Sequence, residues 1–183
     1  MVNPTGGAVR VVIVGAGGLG TPAAIGLLLG YNSEARLSVE IIDDDSIELS
    51  NLNRQVLFTG EDLGQNKAIT LCNRLLDGPF AANAEKLQFK AQAQRLDLSN
   101  IDALLGGADI VLDACDDTAT KFLINDYCVL NRIPFCYGGV VALHGQALLV
   151  DSRSLPRGGC LRCLFGDYTE ADFREQTTSC QAN

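Results

Sequence analysis

The sequence predicts an α/β fold, a doubly wound and mostly parallel sheet, and three observations carry that reading. Short β-branched runs alternate with segments of helical period as far as about Val150. The first run stops at a cluster of glycines and passes straight into a helical segment. Acidic residues stand just beyond the ends of two further runs, at the edge where right-handed crossovers gather all the strand C-termini of an open parallel sheet.

Arg10 to Val14 (RVVIV) is the first strand, and Leu19 to Leu29 follows with helix-forming residues and an apolar face. Leu37 to Ile42 repeats the strand signal and ends in Asp43-Asp44-Asp45, where three consecutive acids must leave the sheet for a solvated loop. After a polar segment through Gly64, Lys67 to Leu76 reads as a helix and Lys86 to Ala91 as a weaker strand. Leu98 to Leu105 reads as a short helix capped by Ser99. Ile110 to Leu112 is a buried strand before Asp113, and Thr118 to Leu130 is helical with Leu123, Tyr127 and Leu130 on one side. Pro134 to Val141 is a strand entered through proline. His144 to Val150 turns back on it as a late antiparallel hairpin strand. The expected organisation is a nucleotide-binding unit over residues 1–150, then an irregular C-terminal crossover segment over 151–183. That segment has no clear period, and a structureless stretch of such length is expected to be functional or mobile.

With 183 residues, 47% of them hydrophobic, the chain can bury one ordinary core. A net charge of −8 excludes a sequence-independent grip on nucleic acid, which needs many Lys and Arg contacts to phosphate. No secretion signal and no apolar run of roughly 18 residues is visible, so a cytoplasmic protein without a membrane span is expected. Seven cysteines are an odd number in a chain without a signal, which favours thiol or metal chemistry over a disulfide framework. Cys72, Cys115, Cys128 and Cys136 lie in or beside regular elements and read as packing thiols, and His144, the only histidine, is placed at a strand turn without a catalytic role.

Gly15-Ala16-Gly17-Gly18-Leu19-Gly20 fits G-x-G-x-x-G between the first strand and the first helix, the context in which glycines let backbone approach a phosphate at a helix N-terminus. Asp43, at the end of the second strand, is placed to accept hydrogen bonds from a ribose. These residues indicate an adenine nucleotide. Alone, they would also permit an NAD- or FAD-dependent oxidoreductase.

The next segment discriminates. Ser50-Asn51-Leu52-Asn53-Arg54-Gln55 follows the acids, then Gly64-Gln65-Asn66-Lys67, and later Asp113-Ala114-Cys115-Asp116. From about Arg10 to the end, this ordered set resembles the adenylation domain shared by ubiquitin-activating enzymes and the bacterial adenylyltransferases for molybdopterin-synthase and thiamine-pathway sulfur carriers. The resemblance implies ATP-dependent adenylation of the C-terminal carboxylate of a small ubiquitin-like or sulfur-carrier protein ending in Gly-Gly, within a homodimer. It implies that Gly15, Gly17, Gly18, Gly20, Asp43, Asp45, Asn51, Arg54, Gln55 and Lys67 bind the nucleotide, with Asp43 on the ribose and Asn51, Arg54 and Lys67 on the phosphates. Asp116 would hold Mg²⁺. The chemistry asks for the same groups, because a carboxylate attacking an α-phosphate brings anions together and needs cations, here Arg54 and Lys67, and a carboxylate for the metal. The competing reading pairs Arg54 and Lys67 with Glu61 or Asp62 at the surface and uses Asp113 or Asp117 only to cap the following helix.

Cys160-Leu161-Arg162-Cys163 has the spacing that lets two sulfurs meet one zinc, and is half of a four-ligand site. The resemblance places a second such pair beyond Asn183, and a helix carrying a phosphate-reaching Arg before the first strand, where this chain has nine residues before Arg10. The chain is therefore expected to be part of a longer architecture. Cys180 resembles the acceptor cysteine of the family's crossover loop. It could instead be a third zinc ligand or an ordinary tail residue. A catalytically silent scaffold subunit of a heterodimeric activating enzyme is the remaining alternative.

Overall fold

The computed structural model describes residues 8–77, 87–141, 143–154 and 159–166. Within them, strands β1 (Val9–Val14), β2 (Leu37–Ile42), β3 (Leu87–Gln92), β4 (Ile110–Asp113), β5 (Phe135–Val141) and β6 (His144–Val150) form one sheet in the order β3-β2-β1-β4-β5-β6. The first five run parallel, and β6 returns antiparallel to β5. The chain winds outward from β1 to β3, then crosses back to place β4 on the other side of β1, so the switch point of the sheet lies between β1 and β4. Helices α1 (Gly20–Gly30), α2 (Lys67–Asp77), α3 (Ile101–Leu105), α4 (Thr118–Leu130) and α5 (Leu161–Phe165) accompany the strands.

β1 is a continuous β-branched run because both of its faces are covered. Val11 and Ile13 join Val39, Ile41 and residues of α1 and α2, among them Leu28 and Leu71, in one core layer. Val12 and Val14 face the other way, into a second layer with Val111, Leu105, Ile124 and Phe135. α2 buries Ala68, Leu71, Cys72 and Leu75, at the spacing of one helical face.

Three expectations change. The helix expected from Leu98 starts only at Ile101, and Ser99 does not cap it. The Asp97 carboxylate accepts both the Ser99 amide at 2.7 Å and the Ser99 hydroxyl at 2.6 Å, so those donors and acceptors are spent in a turn that precedes the helix. On α4 the buried residues are Ile124, Asn125 and Cys128, and Leu130 is exposed. The irregular segment contains α5, whose five residues are too few to show a period. It docks on α4 through polar contacts. The Asn125 side-chain oxygen accepts the Leu161 N–H at 2.9 Å, and Arg162 grips Asp126 with two bonds of 2.6 Å while its guanidinium lies 5.1 Å above the Phe122 ring. No helix among the described residues is long and apolar enough to cross a membrane.

Candidate nucleotide site at the sheet switch point

The glycine turn sits where β1 leaves the sheet. Gly15 has φ +101°, in the left-handed region, and a Cβ there would lie 2.7 Å from the Ala114 carbonyl oxygen. A Cβ on Gly20 would drive into the Gly15 carbonyl. These two glycines let α1 begin directly beneath the turn and let the residues after β4 press against it. Gly17 and Gly18 differ. Side chains from the segment after β2 come to them, with Gln55 Nε2 at 3.7 Å and Arg54 Cδ at 3.6 Å from the Cβ positions.

Asp43 already has work within the chain. One carboxylate oxygen accepts the Ala16 N–H at 2.6 Å, and the other accepts the Asp45 N–H at 2.9 Å. The acid expected on a ribose thus also ties the glycine turn to the end of β2. Burial raises its pKa above the usual carboxylate value, against the lowering effect of these two N–H groups. Asp43, Asp44 and Asp45 each bring a carboxylate oxygen within 4.8 Å of the others, a local concentration of negative charge.

The segment expected to hold phosphates folds over this edge. A short 3₁₀ turn, Leu49–Asn51, is closed by the Asn51 side-chain oxygen accepting the Glu48 N–H at 3.1 Å. Asn51 is buried, and its amide is engaged locally. Arg54 is exposed, and among the described residues its guanidinium reaches only neutral acceptors, the Ser50 carbonyl at 2.9 Å and the Asn53 side chain at 3.2 Å. Gln55 is 2% exposed, and its Oε1 has no hydrogen-bond partner among the described residues. A buried amide oxygen without a donor costs free energy and is an acceptor available to a ligand.

Lys67 opens α2, and its ammonium lies 2.7 Å from an Asp45 carboxylate oxygen. Its backbone N–H also donates to the Asp45 carbonyl, so Asp45 holds both ends of the residue. The surface pairing with Glu61 or Asp62 is not what forms, because Asp62 pairs with Arg74 at 2.8 Å.

The third contribution comes from the β4–α4 turn. Asp113 is buried, and one carboxylate oxygen accepts the Cys115 thiol at 2.9 Å, the Cys115 N–H at 3.2 Å and the Lys121 ammonium at 3.2 Å. Its second oxygen has no partner among the described residues, and burial raises its pKa despite Lys121. Asp116 is exposed and makes no hydrogen bond or ion pair with another described residue. Asp117 caps α4, accepting the Thr120 N–H at 2.8 Å and hydroxyl at 2.7 Å. Its burial would raise its pKa, but these bonds outweigh that and lower it. Lys121 does not stand out in the sequence, because a lysine four residues after an aspartate looks like a surface helix pair.

Cys160 and Cys163 stand at the start of α5 with their sulfurs 3.9 Å apart. Burial raises the Cys160 thiol, but the Cys163 and Arg162 N–H groups outweigh it and bring the pKa below the usual thiol value. Cys72 and Cys128 are buried packing thiols pushed up to about 12. Cys115 is half-buried and also raised, by burial and by Asp113. Cys180 lies outside the described residues, and His144 is exposed at the start of β6.

Known proteins are similar to this chain in sequence and fold. Residues 7–183 match the ThiF family. The chain is 36% identical over 161 residues to the SAMP-activating enzyme E1 of Haloferax volcanii, covering 88% of this chain and 55% of that protein. It is 37% identical over 158 residues to the sulfur carrier protein adenylyltransferase of Thermus thermophilus, covering 85% and 55%. It is 36% identical over 164 residues to the sulfur carrier protein ThiS adenylyltransferase of Escherichia coli, covering 89% and 61%. The crystal structure of E. coli MccB with ATP superposes with a TM-score of 0.68 at 26% identity, covering 91% of this chain and 46% of that one. The chain thus spans little more than half the length of these curated relatives, and on the strength of the family match over residues 7–183 it belongs to the ThiF family.

Proposed function

We propose that this chain binds ATP at the sheet switch point and adenylates the C-terminal carboxylate of a small ubiquitin-like or sulfur-carrier protein. The observation that carries the reading is the placement of Arg54 and Gln55 against Gly18 and Gly17. There the Arg54 side chain, whose guanidinium bonds only neutral acceptors among the described residues, and the buried Gln55 amide, whose Oε1 has no partner among them, lie against the glycine turn. Three sulfur-carrier or SAMP-activating relatives at 36–37% identity support the same chemistry.

In the reaction, a carboxylate oxygen of the partner attacks the α-phosphorus, the bond from that phosphorus to the bridging oxygen breaks, and pyrophosphate leaves. Arg54 and the N–H groups at the start of α1 would take the phosphate charge. Lys67, held by Asp45, is the second cation. A magnesium ion held by Asp116 would offset charge on the phosphate oxygens. Hydride transfer has no use for these groups, which disfavours an oxidoreductase.

The Cys160 and Cys163 sulfurs fit zinc, since two thiolates at about 2.3 Å on a tetrahedral ion stand about 3.8 Å apart. Two further ligands are required, and Cys180 is a candidate for one or, alternatively, for the acyl or sulfur acceptor. The homodimer belongs to the same proposal, supported by exposed Leu49, Val56 and Ile69 on the segments that carry Arg54 and Lys67.

ATP–pyrophosphate exchange with a small protein ending in Gly-Gly tests the reading. Asp116→Ala and Arg54→Ala should each lower exchange by about 100-fold or more with an unchanged circular dichroism spectrum. Calorimetry showing tighter binding of NAD than of magnesium ATP would overturn it.

A further inference from the structure

We infer that Lys121 is a positioning residue that sets where Asp116 meets a phosphate-bound divalent cation, an inference that rests on the adenylation reading. Lys121 is on α4, one turn past Asp117, with a side chain only 11% exposed. Its ammonium donates to the Asp113 carboxylate at 3.2 Å and to the Gly138 carbonyl at 2.8 Å, and lies 4.8 Å from the centre of the Tyr137 ring. Asp113 ends β4 and Gly138 lies in β5 just past the last residue paired with β4, so one cation ties the C-terminal end of β4 to its neighbouring strand.

The turn that follows Asp113 has little freedom on its other side. Its Ala114 carbonyl fills the space that a Cβ on Gly15 would need, and the Ala114 side chain lies 3.5 Å from the Cβ position of Gly20. The Cys115 N–H and thiol both return to the Asp113 carboxylate. Residues 113–115 are therefore clamped between the glycine turn and the Lys121 ammonium, and Asp116 is the next residue out. It makes no hydrogen bond of its own among the described residues, so its placement relative to a phosphate on the glycine turn comes from this clamp. A buried cation is expensive to desolvate, and a packing role would be served as well by an aliphatic side chain. A bridge from the end of β4 to β5 beside the proposed ligand edge gives the charge a use.

Binding of Mn²⁺ in the presence of ATP, read by electron paramagnetic resonance, tests the inference without requiring turnover. Calorimetric titration with ATP in excess chelator gives metal-free nucleotide binding, and a thermal melt gives stability. Lys121→Met keeps the aliphatic stem and removes the bridge. It should weaken Mn²⁺ binding in the ATP complex by about tenfold, equivalent to about 1.4 kcal/mol, while changing metal-free ATP affinity by no more than about twofold. Lys121→Arg, which can still donate to both acceptors, should recover most of the loss. If Lys121→Met does not fold, Asp113→Asn carries the test, because it keeps the shape and removes the charge of the pair. A threefold or greater loss of Mn²⁺ affinity supports the inference, and parent-like affinity overturns it. A folded Lys121→Met variant that melts lower but binds Mn²⁺ like the parent means that the pair is structural only. A parent chain that binds neither ATP nor Mn²⁺ with ATP overturns the adenylation reading, and this inference with it.

Discussion

Glycines that look alike in the sequence have opposite roles in this chain. Gly20 has no room for a side chain, because a Cβ would meet the backbone of Gly15, which cannot swing aside as a flexible side chain could. Gly20→Ala should therefore cost toward the upper end of about 1–3 kcal/mol, or lower Tm by roughly 6–12 °C, and should weaken ATP binding as the turn shifts. Gly26 lies in the exposed middle of α1 with nothing within 4 Å of its Cβ position. Gly26→Ala should stabilise by about 0.5–1 kcal/mol, since alanine loses less backbone entropy in a helix. Thermal melts of both variants check the pair, and equal shifts in the same direction would refute this account of the turn. Motif spacing alone makes Gly15 and Gly20 legible in the sequence. It does not reveal that Gln55 is buried with an unpartnered oxygen, or that Asn51 closes its own turn. Those outcomes depend on which donors the folded chain brings near, and no local pattern records that.

The regular elements were legible wherever a period had room to appear. The strand β1 and the amphipathic helix α2 declare themselves over 6 and 11 residues, whereas α5 has 5 residues and is held by Asn125, Asp126 and Phe122 of α4. Contacts 36 residues apart in the sequence leave no trace in local composition. The same helix decides thiol chemistry. Its N-terminal N–H groups lower the Cys160 thiol pKa, while burial holds Cys72 and Cys128 at about 12. At about pH 7.5, after chelation, iodoacetamide should label Cys160 and exposed Cys163 at least about tenfold faster than Cys72 and Cys128, because the thiolate is the reacting form. Peptide mass analysis reads all sites at once. The difference between the two groups should narrow as pH rises, since the buried thiols ionise only toward about 12. If zinc is present, omission of the chelator should protect Cys160 and Cys163.

Across the whole molecule, two-sided burial of the central strands leaves the acidic, polar chemistry to one edge of the sheet, and the proposed pairing of two copies is expected beside it. Light scattering at micromolar concentration should give twice the mass of the chain. Val56→Asp should shift it toward the single-chain mass, because a charge at a residue 74% exposed in one copy would have to be desolvated in the pair. A parent at single-chain mass with exchange activity retained would contradict the dimer. The wiring of the sheet has a consequence of a different kind. β4 reaches its place beside β1 only after the chain has gone out to β3 and come back, and Arg10 and Asp109, joined by a 2.8 Å hydrogen bond at that seam, are 99 residues apart. Closing a loop of that length is among the slower events available to a folding chain. Until it closes, the glycine turn faces no Ala114 and Asp116 has no neighbour across the switch point. Competence to bind nucleotide should thus appear late in refolding, with the last seam of the sheet, and a nascent chain released before β4 could display every residue of the glycine motif without forming a site.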